Sequence, residues 1–127
     1  EGKHVPVAIL GHGYTGNRFD AAQFAGYFAK HGVATIAIDN VSHGISLDAE
    51  LEEQANTLLG LLGMGQITNA ILTDRAFDQN GDGITDTGAD FWSTYLFHTR
   101  DVVRQTALDY MQLIRIIRSF LGIKARH

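Results

Sequence analysis

The stretch AILGHGYTGNR, residues 8–18, decides how the fold is understood, because an apolar run passes directly into a glycine-rich segment. Glycines stand at Gly11, Gly13 and Gly16. Such a loop after a buried strand has three ordinary uses. It seats the pyrophosphate of a dinucleotide, it presents backbone N–H groups to a developing oxyanion, or it only turns the chain.

Two short apolar runs predict parallel strands. One run precedes this loop, and the other follows the helix that is predicted after the loop. Residues 5–10 and 33–38 are rich in β-branched and other apolar side chains, which is typical of strands buried on both faces. Between them, DAAQ at residues 20–23 has the form of a capping box, and Gly32 stands where a helix would end. The spacing predicts a right-handed βαβ unit and an α/β fold with parallel strands flanked by helices.

The rest of the chain predicts further helices. Asp48 or Ser46 is suited to cap a helix that ends near residue 59, and a helix or loop is expected over residues 68–76. The clearest element is a final helix over about residues 99–121, in which apolar side chains recur at three- and four-residue steps. The predicted buried stripe of this helix consists of Val103, Ala107, Tyr110, Ile114, Ile117 and Leu121.

The composition narrows the classes of function. A chain of 127 residues with 45% hydrophobic content predicts one globular domain. The net charge of −4 and the scattered Lys and Arg residues provide no basic face, so nucleic acid is not an expected partner. No apolar run reaches the roughly 18 residues that a membrane span needs. The chain has no cysteine, which excludes disulfides and thiolate metal sites.

The glycine pattern formally satisfies the dinucleotide fingerprint, with Asp39 as the acidic residue at the end of the second strand. In that fingerprint the helix begins at the second glycine. Here the helix start signal is Asp20, which leaves residues 11–19 as a loop too wide for a pyrophosphate and places bulky His12 and Tyr14 in it. The sequence therefore favours an oxyanion loop. The alternative is a Rossmann-type dinucleotide-binding oxidoreductase that uses the three glycines and Asp39.

Two segments resemble α/β-hydrolases. LGHGYTGNRFD, residues 10–20, looks like the His-Gly loop between the third strand and the first helix of that superfamily, which supplies one oxyanion-hole amide. IAIDNVSHG, residues 36–44, is similar to the segment that includes and follows the fourth strand, with Ser42 in place of the usual first glycine. The resemblance implies a serine lipase or esterase that acts by acyl transfer on a small acyl ester or lipid, without an organic cofactor.

The resemblance also implies roles for individual residues. The Tyr14 amide would hold the tetrahedral oxyanion, and His12 and Gly13 would shape the loop. His12 and His43 are expected at the same edge of adjacent parallel strands. His43 is expected to hydrogen-bond to backbone near the strand ends rather than to act chemically.

No nucleophile elbow is present in the sequence. An α/β-hydrolase needs a serine framed as Gly-x-Ser-x-Gly. The chain has four serines, none framed in this way: Ser42, Ser46, Ser93 and Ser119. Residues 1–127 are therefore interpreted as the N-terminal portion of a single hydrolase domain whose nucleophile half is missing, inactive alone. The edge of strand 5–10 would then be unpaired and would bind the missing part or a second copy.

An acidic, glycine-rich loop follows in DQNGDGITDTGAD, residues 78–90. Its opening has the spacing of an EF-hand-type calcium loop, with oxygen ligands at alternate positions and glycine at the sixth. The bidentate glutamate of position 12 is absent, since Ala89 stands there. The alternatives are a structural Ca²⁺ site and a solvated turn. The predicted ligands are Asp78, Asn80, Asp82, Ile84, Asp86 and Asp90.

The later part of the chain resembles large bacterial extracellular lipases of the virulence-factor type. The similarity rests on DQNGDGITDTGADFW and on FHTRDVVRQTALDYMQLIRIIR. It implies an extracellular or cell-envelope location and an insertion at residues 45–98 that includes a lid or calcium loop. GLLGMG, residues 60–65, is expected to be a buried connection or part of a lid. The aromatics of FWSTYLF, residues 91–97, are expected in the core or, alternatively, lining an acyl pocket.

Overall fold

The computed structural model describes residues 5–45, 47–73 and 75–120. The chain forms two compact units, Glu1–Asp90 and Phe91–His127. Within the described residues, the first unit contains two strands and three helices, with two short 3₁₀ turns, and the second contains one long helix. The fold is mixed α/β, as the sequence predicts at this level.

Strand β1 (Val7–Leu10) and strand β2 (Ala34–Ala37) form a two-stranded parallel sheet. Val7 lies opposite Ala34, and Leu10 lies opposite Ala37. The parallel pairing is confirmed, although both strands are shorter than the predicted runs. The expectation that both faces are buried is wrong, since no strand residue is buried and Val7 is 39% exposed. A sheet of two strands is too narrow for helices to cover both faces fully.

The chain leaves β1 through residues 11–17, which we call the His-Gly loop. A 3₁₀ turn at Arg18–Ala21 then leads into α1 (Ala22–Lys30). The predicted capping box at residues 20–23 is wrong. Asn17 is the N-cap: its side chain accepts from the Phe19 N–H, and Asp20 reaches back to the Asn17 N–H. Asp20 thus fills the third position of the box, and the loop has seven residues rather than nine.

After β2, α2 (Ala49–Leu61) begins where the sequence predicts. The Asp48 side chain accepts from the Leu51 N–H at 2.8 Å, which confirms Asp48 as the cap, and Ser46 lies outside the described residues. A 3₁₀ turn at Gly65–Ile67 precedes the short helix α3 (Thr68–Leu72). Leu61 and Leu62 are exposed, so the expectation of a buried connection at residues 60–65 is wrong at these positions.

The most buried part of the first unit is polar. Asp39, Ser42 and His43 are almost completely shielded from solvent, and Gly44 is buried with them. These residues belong to the segment 39–44 that follows β2, which we call the polar turn. Buried polar groups generally need hydrogen-bond partners, and the side chains of Asp39 and His43 have them here.

The second unit contains α4 (Leu96–Phe120), close to the predicted span. Its buried side chains are Val102 and Leu113, and the half-buried Thr106, Tyr110 and Ile117 continue the same stripe. The period is as predicted, but several predicted stripe members are exposed: Val103, Ala107 and Ile114. Leu121, also predicted in the stripe, lies outside the described residues. Over the described ranges, no helix combines the length and apolarity needed to cross a bilayer.

The aromatic segment before α4 is not a core. Trp92, Tyr95 and Phe97 are each more than half exposed, which contradicts the core expectation for residues 91–97. Their rings contact near neighbours instead: Phe91 lies edge-on to Trp92, and Tyr95 to Phe97.

Candidate functional site

The loops that follow β1 and β2 meet at the carboxyl ends of the two strands. The backbone N–H of Asn40 donates to His12 Nε2 at 2.9 Å, and His12 Nδ1 lies 2.8 Å from the Gly13 carbonyl oxygen. An amide N–H can only donate and a carbonyl can only accept, so His12 is the neutral tautomer with its proton on Nδ1. His12 therefore holds the His-Gly loop in place against the polar turn.

His43 lies beside His12, as expected for residues at the same edge of adjacent strands. The two ring centroids are 5.0 Å apart, and the Tyr14 ring lies edge-on to His43 at 6.1 Å. His43 Nδ1 donates to the Val41 carbonyl at 2.9 Å. This confirms the prediction that His43 bonds to backbone near the strand ends.

Both loops carry a non-glycine residue in the left-handed region. Thr15 has φ 60°, inside a turn closed by a 3.1 Å bond from the Gly16 N–H to the Gly13 carbonyl. Ser42 has φ 64°. Ser42 is the residue that stands in place of a glycine in the resemblance, and its φ is one that glycine adopts without strain. Strain of about 1–3 kcal/mol at each position is tolerated only where the surroundings fix the backbone.

Arg18 joins three segments of the first unit. Its N–H donates to Asp39 Oδ1 at 2.6 Å, and its guanidinium pairs with Asp39 Oδ2. The same guanidinium donates to carbonyls at the C-terminal end of α3: Ala70, Ile71 and Thr73. These carbonyls have no partner within the helix, and a cation is favourable there. The bonds to Arg18 engage both oxygens of Asp39.

A third segment completes the site, and sequence reasoning missed it. The Gly88 N–H donates to the Ser42 carbonyl at 2.7 Å. Thr87 Oγ1 accepts from the Gly44 N–H at 3.1 Å and donates to the Gly16 carbonyl at 3.4 Å. Thr87 thus bridges the His-Gly loop and the polar turn. No local sequence pattern predicts the contact between Thr87 and Gly16, which are 71 positions apart.

Gly88 is required where it stands. Its φ is +76°, and a Cβ there would lie 2.9 Å from His43 Nε2 and 3.2 Å from Tyr14 Cε2. The glycine therefore lets the backbone approach both rings.

The predicted oxyanion residues lie together on the surface of the first unit. Tyr14 is 54% exposed, and nothing lies within 4 Å of a Cβ built on Gly13. A pocket of about 70 Å³ lies under the His-Gly loop, lined by Leu10, His12, Arg18, Phe24 and neighbouring residues. Ligand pockets are usually about 300 Å³ or more, so this pocket alone is too small for an acyl chain.

The acidic loop, residues 78–90, folds around its own side chains. Asp78 Oδ1 accepts from the Gly81 N–H at 2.7 Å, and Asp78 Oδ2 accepts from the Gly83 N–H at 2.9 Å. Asn80 Oδ1 accepts from the Asp82 N–H at 2.8 Å. The N–H groups of Gly83 and Gly81 lower the pKa of Asp78, because they stabilise its ionised form.

The donor set of this loop suits Ca²⁺. All predicted ligands offer oxygen, and Gly83 at the sixth position has φ +88°, the sharp turn that such loops require. The side-chain oxygens bond to loop amides here. Among residues 5–45, 47–73 and 75–120, no three His, Asp or Glu side chains are grouped so that they could hold a metal ion.

Comparison of the chain with known protein families, curated proteins and solved structures found no match. The functional argument therefore rests on the residues and their geometry.

Proposed function

We propose that this chain is part of a serine carboxylic-ester hydrolase in which the His-Gly loop supplies an oxyanion-hole amide. One observation carries the proposal: the loop is broad and is fixed to the polar turn by the His12 bond to Asn40. An oxyanion donor accelerates acyl transfer only if it is held in place before the reaction begins. His12, the turn at Gly13–Gly16 and the Thr87 bridge supply such rigidity.

In the proposed mechanism, a serine attacks the ester carbonyl, and the Tyr14 N–H donates to the oxygen as it becomes negative. His12 and Gly13 position that amide. His43 packs against the rings of His12 and Tyr14. The nucleophile is proposed to lie elsewhere in the natural protein. Ser42, which has the trailing glycine of an elbow, is only 1% exposed and is not proposed as a nucleophile.

The dinucleotide alternative has less support. A pyrophosphate site needs a helix that begins at the second glycine, whereas the helical turn here begins at Arg18, beyond all three glycines. The acidic residue of that motif must also offer an oxygen to a ribose hydroxyl. Both oxygens of Asp39 are held by Arg18, so a ribose would have to displace a buried ion pair.

The test replaces the Tyr14 amide alone. Tyr14 is the second residue of the Gly13–Gly16 turn, and Thr15 has the positive φ that a type II turn requires at its third residue. Proline is favoured at the second position of such a turn and has no N–H. Tyr14→Pro in the natural gene product is expected to lower kcat for a p-nitrophenyl ester by about 10²–10³.

Tyr14→Ala is the matched control, since it removes the ring and keeps the amide. It should retain most of the activity. Equal loss in both variants, with both folded by circular dichroism, would show that the amide has no special role. If the natural gene product hydrolyses no ester, the proposal as a whole is rejected.

We also propose that the acidic loop binds one structural Ca²⁺. Asp78, Asn80, Asp82, Asp86 and Asp90 would hold the ion, together with the Ile84 carbonyl. A bound cation would pull these oxygens inward and fix the segment that carries Thr87. We expect Ca²⁺ to raise Tm, with Mg²⁺ as the control and Asp82→Ala abolishing the shift. An identical Tm in Ca²⁺ and in chelator would contradict the proposal of a Ca²⁺ site.

The outer edge of β1 is proposed to bind a further strand. Within the described residues β1 is bonded only to β2, and apolar side chains of β1 and α1 are exposed, including Val7, Phe24 and Tyr27. Parallel sheets normally have both faces covered. The partner is the remainder of the hydrolase or a second copy of the chain, and light scattering that finds only a monomer, with or without the remainder, would contradict this.

The substrate class follows the same proposal. We propose a small acyl ester or a lipid as substrate and a bacterial extracellular or cell-envelope location, both from the resemblance. The isolated chain is expected to hydrolyse no ester.

A further inference from the structure

The acidic loop contains the dipeptide Asn80-Gly81 in its exposed first half, residues 78–84. Both residues are exposed, and Gly81 has φ +81° with nothing within 4 Å of a Cβ position. Glycine leaves the backbone nitrogen after an asparagine open to the side-chain carbonyl carbon, because no Cβ stands in the way. Attack of that nitrogen on that carbon is the first step of asparagine deamidation.

Two hydrogen bonds of the loop involve atoms that would take part in this reaction. The Gly81 N–H, whose nitrogen would attack, donates to Asp78 Oδ1 at 2.7 Å. Asn80 Oδ1, which becomes negative when Cγ is attacked, accepts from the Asp82 N–H at 2.8 Å. A proton acceptor on the nucleophile and a donor on the developing oxyanion are the two elements that accelerate acyl transfer.

We propose that the acidic loop promotes its own modification by deamidating Asn80. The Gly81 nitrogen forms a bond to Asn80 Cγ while its proton leaves along the hydrogen bond to Asp78. The bond from Cγ to the side-chain nitrogen then breaks. This nitrogen takes up the proton that Asp78 received and departs as ammonia, which leaves a five-membered succinimide. Water opens this ring at either carbonyl to give aspartate or isoaspartate. No oxidant or reductant is needed.

The modification changes the loop in two ways. Aspartate adds one negative charge to a chain that has a formal net charge of −4. Isoaspartate passes the main chain through the side-chain carbon, which shifts the N–H groups of Gly81 and Asp82 out of their present bonds. The inference uses only the hydrogen bonds that the loop makes to its own N–H groups, so it applies to the loop without bound calcium.

The experiment incubates the full chain at neutral pH in chelator and follows Asn80 by peptide mass spectrometry, as a gain of about one dalton. The folded chain is compared with the same chain in urea. Folding should raise the rate at Asn80 about tenfold, below the 10²–10⁴ of a tuned catalytic base, because a carboxylate is a weak base. The chain has internal controls, none followed by glycine: Asn17, Asn40, Asn56 and Asn69.

Variants separate the acceptor from the net charge of the chain. Asp78→Asn should slow the folded reaction about tenfold and leave the rate in urea unchanged. Glu53→Gln removes an equal charge from an exposed position of α2, outside the acidic loop, and should change the folded rate little. Asn80 reacting no faster in the folded chain than in urea would overturn the proposal, as would Asp78→Asn reacting at the original rate.

Discussion

The imidazole of His12 connects the two strand-end loops through a bond of 2.9 Å from the Asn40 N–H to Nε2. Because Nδ1 bonds to the Gly13 carbonyl, both ring nitrogens serve structure, and neither is available as a catalytic base in this arrangement. The histidine of a His-Gly loop thus acts here by fixing the backbone of its own loop.

Replacing His12 should loosen both loops. His12→Phe keeps a ring of similar shape but leaves the Asn40 N–H without its acceptor, at a cost of about 1–3 kcal/mol in the free energy of unfolding. The Gly13 carbonyl loses one of two bonds and keeps the bond from the Gly16 N–H. Urea denaturation measures this cost, and His31→Phe, on the exposed residue that follows α1, is the control. Long-range ¹⁵N NMR spectra should show the His12 proton on Nδ1, and a proton on Nε2 would contradict the assignment.

The Arg18–Asp39 pair should be far more costly to break than a surface pair. The Asp39 side chain is 2% exposed, and Arg18 also holds the end of α3. Arg18→Met removes the cation from a buried carboxylate, which keeps the bond from the N–H of residue 18, with an expected loss of about 3 kcal/mol or more. The control is Asp101→Asn in the exposed Arg100–Asp101 pair, which should change stability little. Similar losses in both variants would refute a special role for Arg18.

Ser42→Gly should stabilise the chain. Ser42 carries positive φ, and its buried Oγ makes no hydrogen bond. Glycine removes strain of about 1–3 kcal/mol and an unsatisfied hydroxyl, against an entropic cost of about 0.5–1 kcal/mol, so a net gain of about 1 kcal/mol is expected. Ser42→Ala removes only the hydroxyl and should gain less. A lower Tm for Ser42→Gly than for Ser42→Ala would contradict the strain argument.

Gly88→Ala should destabilise through two separable effects, positive φ and the contact with His43. Gly63 provides the control, since its φ is +72° and nothing lies within 4 Å of its Cβ position. Gly63→Ala therefore measures the backbone cost alone, about 1 kcal/mol. Gly88→Ala should cost roughly 1 kcal/mol more, because overpacking is added. Equal losses in thermal denaturation would mean that His43 moves away freely.

Local signals in the sequence were enough to predict the parallel strands, the Asp48 cap and the meeting of His12 with His43. Each depends on neighbouring residues or on the geometry of parallel strands. The capping box before α1 was predicted at the wrong residue, because Asn17 and Asp20 are both good capping residues. In the structure, Arg18 follows the Asn17 cap and is bound to Asp39, 21 positions away. A pattern read along the chain carries no information about such a pair.

The buried stripe observed on α4 differs from the predicted one for a related reason. Apolar residues occur on two faces of this helix, and periodicity alone does not say which is covered. The polar Thr106 lies in the buried stripe, whereas the apolar Val103 and Ala107 are exposed. The contact of Thr87 with Gly16 was likewise beyond prediction, since no local rule relates the acidic loop to the His-Gly loop.

The two hydrogen bonds that Asp78 accepts in the acidic loop should be lost only below the ordinary carboxyl pKa of 3.8. The N–H groups of Gly83 and Gly81 lower the pKa of Asp78 below its ordinary value of 3.8. A lowered folded-state pKa means that the stabilisation is fully present well above pH 3.8 and is lost as the pH falls through the lower folded value. In NMR titrations without metal, the Gly81 and Gly83 amide signals should therefore shift together, with a midpoint below 3.8. Asp78→Asn should abolish that shared shift, and a midpoint at or above 3.8 in the unmodified chain would show that the two bonds do not form in solution.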